Sequence, residues 1–218
     1  HEFEFLAKLK EQGLAKQIGF SYHDGPELLE QILTRHPEVD YVQLQINYLD
    51  WESEGVQSRK CYETAVKHGK KVIVMEPVKG GSLATLSEDI VDMFKAEKPE
   101  WSVASWAMRW VRSLDNCHVI LSGMTTEEQV EDNLATFAEA GVLTEEEQAV
   151  VARVREAIQA KVFVGCTACR YCMPCPFGVD IPRNFRMMND YAMYNNRAGL
   201  DWAWNNMKEE ERASNCRK

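Results

Sequence analysis

Apolar residues fall in four short runs separated by longer amphipathic stretches. Residues 17–21 (QIGFS), 41–46 (YVQLQI), 71–75 (KVIVM) and 119–121 (VIL) are predicted strands, being short, bounded by turn residues and rich in β-branched side chains. Helical spacing predicts helices over residues 3–12, 26–35, 56–68, 88–96, 103–111 and 127–138. Asp24, Ser87 and Thr126 are candidate caps and Gly69 a candidate stop. Strand and helix alternate, and no Asn-Gly hairpin signal stands between strands. This is the pattern of βα units on a parallel sheet, with four strands in consecutive order. Four such units do not close an eight-stranded barrel, which typically takes ~250 residues.

The period breaks after one more predicted helix, residues 143–161, where Thr144 caps and Glu145–Glu147 suit the first turn. From Val162 onward the chain is rich in Cys, Pro, Met, Arg, Asn and Trp. A boundary near Lys161 therefore divides residues 1–161 from 162–218. The 218 residues are 45% hydrophobic, enough to bury a core. Lys and Arg total 25 against 34 Asp and Glu, giving −9, so neither nucleic acid nor an anionic membrane is an expected partner. No apolar run approaches the ~20 residues of a membrane span. Residues 1–5 (HEFEF) mix charge into their apolar positions, unlike a secretory signal.

Cysteine usage changes the picture most. Cys166, Cys169, Cys172 and Cys175 form C-x2-C-x2-C-x2-C-P. Thiolates three apart wrap around a cubane, so the run points to a 4Fe-4S cluster. Structural zinc more often uses two separated C-x2-C pairs, and disulfides need an oxidising compartment that nothing here marks. In two-cluster ferredoxins the first three thiolates share one cluster and the Cys before Pro joins the other. On that pattern Cys166, Cys169 and Cys172 share a cluster, and Cys175 turns to a second that Cys216 also reaches. Cys61 and Cys117 read as small buried hydrophobes. Reduced thiolates imply a cytoplasmic home.

Residues 10–24 (KEQGLAKQIGFSYHD), 42–50 (VQLQINYLD), 72–81 (VIVMEPVKGG) and 119–133 (VILSGMTTEEQVEDN), with the two cysteine segments 166–182 and 213–216, resemble aldo/keto reductases carrying a C-terminal ferredoxin-type extension. The resemblance implies an α/β fold of (β/α)8 TIM-barrel type, present as its C-terminal half with four parallel strands, followed by a mainly helical iron–sulfur segment. It implies a nicotinamide-dependent oxidoreductase acting on a small-molecule carbonyl or alcohol. The family's catalytic Asp, Tyr, Lys and His lie on its first four strands, so that tetrad is not expected within this chain. Ser21 and Gln43 match the positions that hold the nicotinamide carboxamide, and Met75 replaces the ring-stacking aromatic. The segment from Ser122 to Asn133 matches the adenine end of the cofactor site. There Gly123 and Gln129 occupy the positions of the Lys and Arg of NADP-preferring members, which leans the choice between NAD and NADP toward NAD.

Blander roles compete for several of these residues. Gln43 fits a barrel interior, Ser21 and His23 fit a turn, and Lys79 fits either a phosphate contact or a solvated loop. Trp101, Trp106 and Trp110 fit packing, and Trp202 and Trp204 fit a cover over the cysteine segment. An alternative function is an electron-transfer or assembly module without carbonyl chemistry. In either case the clusters, one or two in number, would serve a redox partner protein or a structural part, because a hydride carries two electrons and a cluster one.

Overall fold

A computed structural model describes residues 2–166 and 169–217. Its sheet contains β1 (Gly19–Tyr22), β2 (Tyr41–Gln45), β3 (Lys71–Met75) and β4 (Cys117–Ile120), ordered β1-β2-β3-β4 with every pairing parallel. The helices are α1 (Glu2–Glu11), α2 (Pro26–Arg35), α3 (Ser58–Lys67), α4 (Glu88–Lys95), α5 (Val103–Arg112), α6 (Glu127–Ala138), α7 (Glu145–Gln159), α8 (Ile181–Tyr194) and α9 (Arg197–Asn205). By density of internal contact the chain forms two compact units: residues 1–80 with 104–151, and residues 81–103 with 152–218. The cysteine segment thus belongs to a unit that also takes in residues 81–103.

The sheet is built on alternation. Val42, Leu44, Val72 and Val74 point to one face and are fully buried with Leu29 and Leu33 of α2 and Cys61 and Ala65 of α3. A one-residue slip would carry these side chains to the other face, so burial fixes the register. Gly19 sits opposite Tyr41, where a Cβ would overlap the tyrosine ring and carbonyl oxygen. The first strand starts at Gly19 instead of residue 17 because Asp40 intervenes: its carboxylate accepts from Ile18 N at 2.8 Å and binds Lys10 Nζ at 2.6 Å. That ion pair holds the Asp40 carboxyl below its ordinary range, against the opposing effect of burial.

The fourth strand runs from Cys117, two residues before its expected start. Val72 pairs with Cys117 and Ile73 with Val119, so His118 is an extra residue on β4 that masks the apolar run. Thr126 caps α6 through a capping box with Gln129. Thr144 does the same for α7: its N donates to Glu147 Oε2 at 2.9 Å and its Oγ1 accepts from Glu147 N at 3.2 Å. Gly69 ends α3 at φ 64°. Two expected caps fail. Gly25, not Asp24, stands at the start of α2, and Ser87 precedes α4 without a capping bond. Asp24 instead accepts from Gly25 N at 2.7 Å, one residue too early to reach the helix.

Candidate functional site

The sheet face opposite the buried valines is only half covered. Ser21 lies across from Gln43, Gln43 across from Ile73, and Gln45 across from Met75. Ser21 is exposed, Gln43, Ile73 and Met75 are half-buried, and Val119 is 46% exposed. Parallel sheets normally bury both faces, so this face has room for further barrel or a ligand. Gln43 Nε2 donates to Met75 Sδ at 3.3 Å. Three expected cofactor residues therefore meet on adjacent strands. A thioether is a poor acceptor, and a carboxamide ligand would be a better partner for Gln43.

The residues expected at the adenine end form a second group. Asn133 Nδ2 donates to Ser122 Oγ at 2.9 Å, tying the end of β4 to α6. Gly123 is exposed, with nothing within 4 Å of where a Cβ would stand. Gln129 is already committed: its Oε1 accepts from Thr125 N at 2.7 Å and from Thr126 N at 3.3 Å. Glu127 and Glu128 occupy the first turn of α6. Backbone N–H and the Thr126 hydroxyl hold the exposed Glu128 carboxyl below its ordinary range. Two carboxylates at this terminus compete with any phosphate for the positive end of the helix dipole.

One cluster beside the strand ends escaped the sequence reading. Asp50 is buried and takes Lys79 Nζ on both oxygens, at 2.8 and 2.7 Å. Gln45 Nε2 and Asn47 Nδ2 each donate to Asp50 Oδ2 at 3.0 Å, and Asn47 also reaches the Glu76 carbonyl at 3.2 Å. Lys79, read as a phosphate contact or a solvated side chain, is instead the counter-ion of a buried carboxylate. The network pins a loop in which Glu76 (φ 59°) and Lys79 (φ 50°) are left-handed, a conformation non-glycine residues rarely adopt. The available signal was the polar series Gln45, Asn47, Asp50 inside an apolar stretch, since buried polar groups need partners.

Two cysteines lie apart from the run, as expected. Burial pushes the Cys61 thiol up to about 11, helped by Glu27 and Asp24, and the Cys117 thiol up to about 12. Both stay protonated at neutral pH and are unsuited to metal binding. Trp106 is fully buried, and Trp110 packs edge-on to Trp51 at 5.4 Å, which makes both packing residues. Arg212 lies 5.3 Å over the Trp204 ring, whereas Trp202 is 70% exposed and covers little.

The cysteine run combines suitable chemistry with an open arrangement. No disulfide engages any of the seven cysteines; Cys166, Cys169, Cys172 and Cys216 are exposed and Cys175 is half-buried. Four thiols within ten residues, with Cys216 on a second segment, are a donor set that fits an iron–sulfur cluster. Among the described residues, however, no three Cys, His, Asp or Glu side chains are gathered as a ligand set. Thr167 and Ala168, inside the run, lie outside the described residues. Among those described, no helix is long and apolar enough to cross a membrane.

Comparison with known proteins gives the fold a context. The profile of the aldo/keto reductase family matches residues 2–156. No curated protein matches. Among solved structures, the chain is similar to the holo form of aldo-keto reductase AKR11C1 from Bacillus halodurans (21% identity, TM-score 0.56, 70% of this chain and 54% of that one). It is similar to an aldo-keto reductase from Klebsiella pneumoniae in complex with NADPH (21%, 0.56, 70% and 52%). It is also similar to the glycerol dehydrogenase AKR11B4 from Gluconobacter oxydans (23%, 0.52, 68% and 51%). The chain spans about half the length of each.

Proposed function

The chain belongs to the aldo/keto reductase family, and on that premise we propose that the protein is a nicotinamide-dependent oxidoreductase with an iron–sulfur tail. The substrate class is a small-molecule carbonyl or alcohol. A bound nicotinamide would supply two-electron hydride chemistry for that substrate. The family's acid–base tetrad lies outside these residues. What this chain contributes is the cofactor face. Ser21 and Gln43 would hold the carboxamide of a bound nicotinamide, Met75 would replace the family's ring-stacking aromatic, and Ser122, Gly123, Gln129 and Asn133 would border the adenine end. The observation that carries the reading is the meeting of Gln43 with Met75 beside Ser21, on the half-covered face of a parallel sheet.

NAD binds at least as well as NADP in this reading. Gly123 has no side chain to offer a 2′-phosphate, Gln129 is spent on its helix cap, and the first turn of α6 is acidic. The NADPH of the Klebsiella pneumoniae structure is that protein's cofactor. Residues 162–218 form the cluster-binding segment. Cys166, Cys169 and Cys172 serve one cluster, and Cys175 and Cys216 serve a second where two are present. A bound 4Fe-4S cluster would supply one-electron chemistry directed to a redox partner protein. Thiolate-bound iron needs reduced cysteines, which supports a cytoplasmic home, and a charge of −9 argues against nucleic acid.

The second reading, an electron-transfer or assembly module, is favoured by one observation: Met75 offers a thioether where a ring-stacking aromatic stands in the family. Titration of the protein with NADH and NADPH separates the two. The oxidoreductase binds NADH at least as tightly as NADPH, and Gln43→Ala weakens binding roughly tenfold, the worth of one ligand hydrogen bond. Absence of binding by either nucleotide supports the module. A strong NADPH preference overturns the assignment of the adenine end.

A further inference from the structure

We propose that Asn189 and Asn184 of α8 are positioning residues for the two cysteine segments, each strapping one of them to the same helix. The proposal rests on the reading of residues 162–218 as an iron–sulfur segment.

Asparagine is a poor choice in a helix interior unless its side chain has work elsewhere, because it competes with the backbone for hydrogen bonds. Both residues have such work. Asn189 Oδ1 accepts from Phe163 N and Val164 N, each at 3.0 Å, and its Nδ2 donates to the Val164 carbonyl at 2.7 Å. That same carbonyl accepts from Cys166 N at 2.7 Å. Asn184 Oδ1 accepts from Ala213 N at 3.0 Å, and its Nδ2 donates to the carbonyls of Asp180 at 2.7 Å and Glu211 at 2.9 Å. The Ala213 carbonyl in turn accepts from Cys216 N at 2.9 Å.

The two straps share one design. Each asparagine grips a residue two or three positions before a cysteine, and that residue's carbonyl takes the cysteine N–H. Cys175 leads into the same helix along the chain. Its carbonyl accepts from Gly178 N at 3.0 Å, and Asp180, two residues on, caps α8 through Arg183 N at 3.3 Å. Gly178 is left-handed at φ 82°, and a Cβ there would press on the Glu210 carbonyl at 3.3 Å. One helix thus sets the backbone at the entry to the first run and before Cys216 through two asparagine side chains. Hydrogen bonds near the sulfurs tune cluster potentials, so releasing a cysteine N–H alters a cluster as well as its retention.

The test uses the protein isolated anaerobically with its iron, as wild type, Asn189→Ala, Asn184→Ala, Asn189→Asp, and Asn206→Ala as a control that loses only a bond to the Trp202 carbonyl. Three readouts are taken: the rate of iron loss to a chelator, the electron paramagnetic resonance of the reduced clusters, and amide exchange at Phe163, Val164 and Ala213. Each strap variant should lose iron roughly tenfold faster or more, since about three hydrogen bonds are removed, with altered resonance. Asn189→Asp keeps the two acceptor bonds but sets an oxygen against the Val164 carbonyl in place of the donor, so it should also lose iron faster than wild type, while the control matches wild type. Iron retention and resonance unchanged in both alanine variants, or an equal effect in Asn206→Ala, overturns the proposal. Fast exchange at Phe163, Val164 and Ala213 in wild type overturns it as well, since the straps would then not hold. Wild-type protein that binds no iron yet protects those amides, with protection lost in the variants, refutes the iron–sulfur reading and leaves the straps in place.

Discussion

The sheet and the cysteine tail hold their shapes by opposite means. Around β2 and β3 the structure rests on burial: Val42, Leu44, Val72 and Val74 are removed from water and interlock with two helices. Among the described residues from 162 onward, only Val179, Pro182, Met187, Tyr194 and Met207 are buried. The rest is tied by asparagine side chains, by the Arg183–Glu211 pair and by arginines lying over Trp204 and Phe177. A segment with so little core commonly needs a staple, and the thiols are its available one. The sheet should therefore tolerate polar change poorly and be indifferent to metal, and the tail the reverse.

The sharpest way to break that contrast is a charge in the sheet. Val74→Asp buries an unpaired carboxylate and should abolish cooperative unfolding by circular dichroism. Leu44→Ala should cost about 2–5 kcal/mol, while Met187→Ala in the tail costs less, since Met187 retains some solvent contact. Equal losses at the two sites would remove the distinction. Next comes the network at the strand ends. Asp50→Ala strands Lys79 and should cost roughly 2–4 kcal/mol in a denaturant titration, at the lower end because Lys79 is 26% exposed. Asp50→Asn should cost less.

Alkaline pH probes the sheet's own buried acids. Burial raises Tyr22 to about 12, Cys61 to about 11 and Cys117 to about 12. Each is an acid whose folded value exceeds its unfolded one, so its contribution is complete below the unfolded value. It is lost as pH rises toward the folded value. Stability should hold up to about pH 8 and fall between about pH 9 and 12, with Cys117→Ala flattening part of the slope. The smallest effect belongs to the α6 cap. Thr126→Ala should cost about 1 kcal/mol, and Gln129→Arg should improve NADPH binding while losing part of the capping box. A Gln129→Arg change that leaves NADPH affinity unaltered argues against the adenine-end assignment.

Strand order and most helix bounds up to residue 159 were legible because burial imprints a period on the chain: α2 and α6 run over the residues that their spacing predicts. The shift at β4 was not legible, because a bulge at His118 adds a residue without changing composition. The Asp50–Lys79 pair was missed for a related reason, since 29 residues separate the partners and only folding brings them together. The resemblance pointed to Ser21, Gln43 and Met75, whereas the bond from Gln43 to Met75 and the commitment of Gln129 to its cap depend on side-chain geometry. The straps of α8 left no periodic trace, because a single Asn gripping a distant backbone has no pattern of its own.

The contrast between the two regions turns on what occupies the thiols. The most direct measurement is metal and acid-labile sulfide analysis of anaerobically isolated protein, with its visible spectrum, in wild type and in Cys166→Ser. Expected are iron and sulfide in equal amounts, a brown protein, and loss of iron and colour in the variant while the circular dichroism of the sheet is unchanged. A single zinc held by Cys166, Cys169, Cys172 and Cys175, disulfides among these cysteines, or iron retained in full after Cys166→Ser would contradict it.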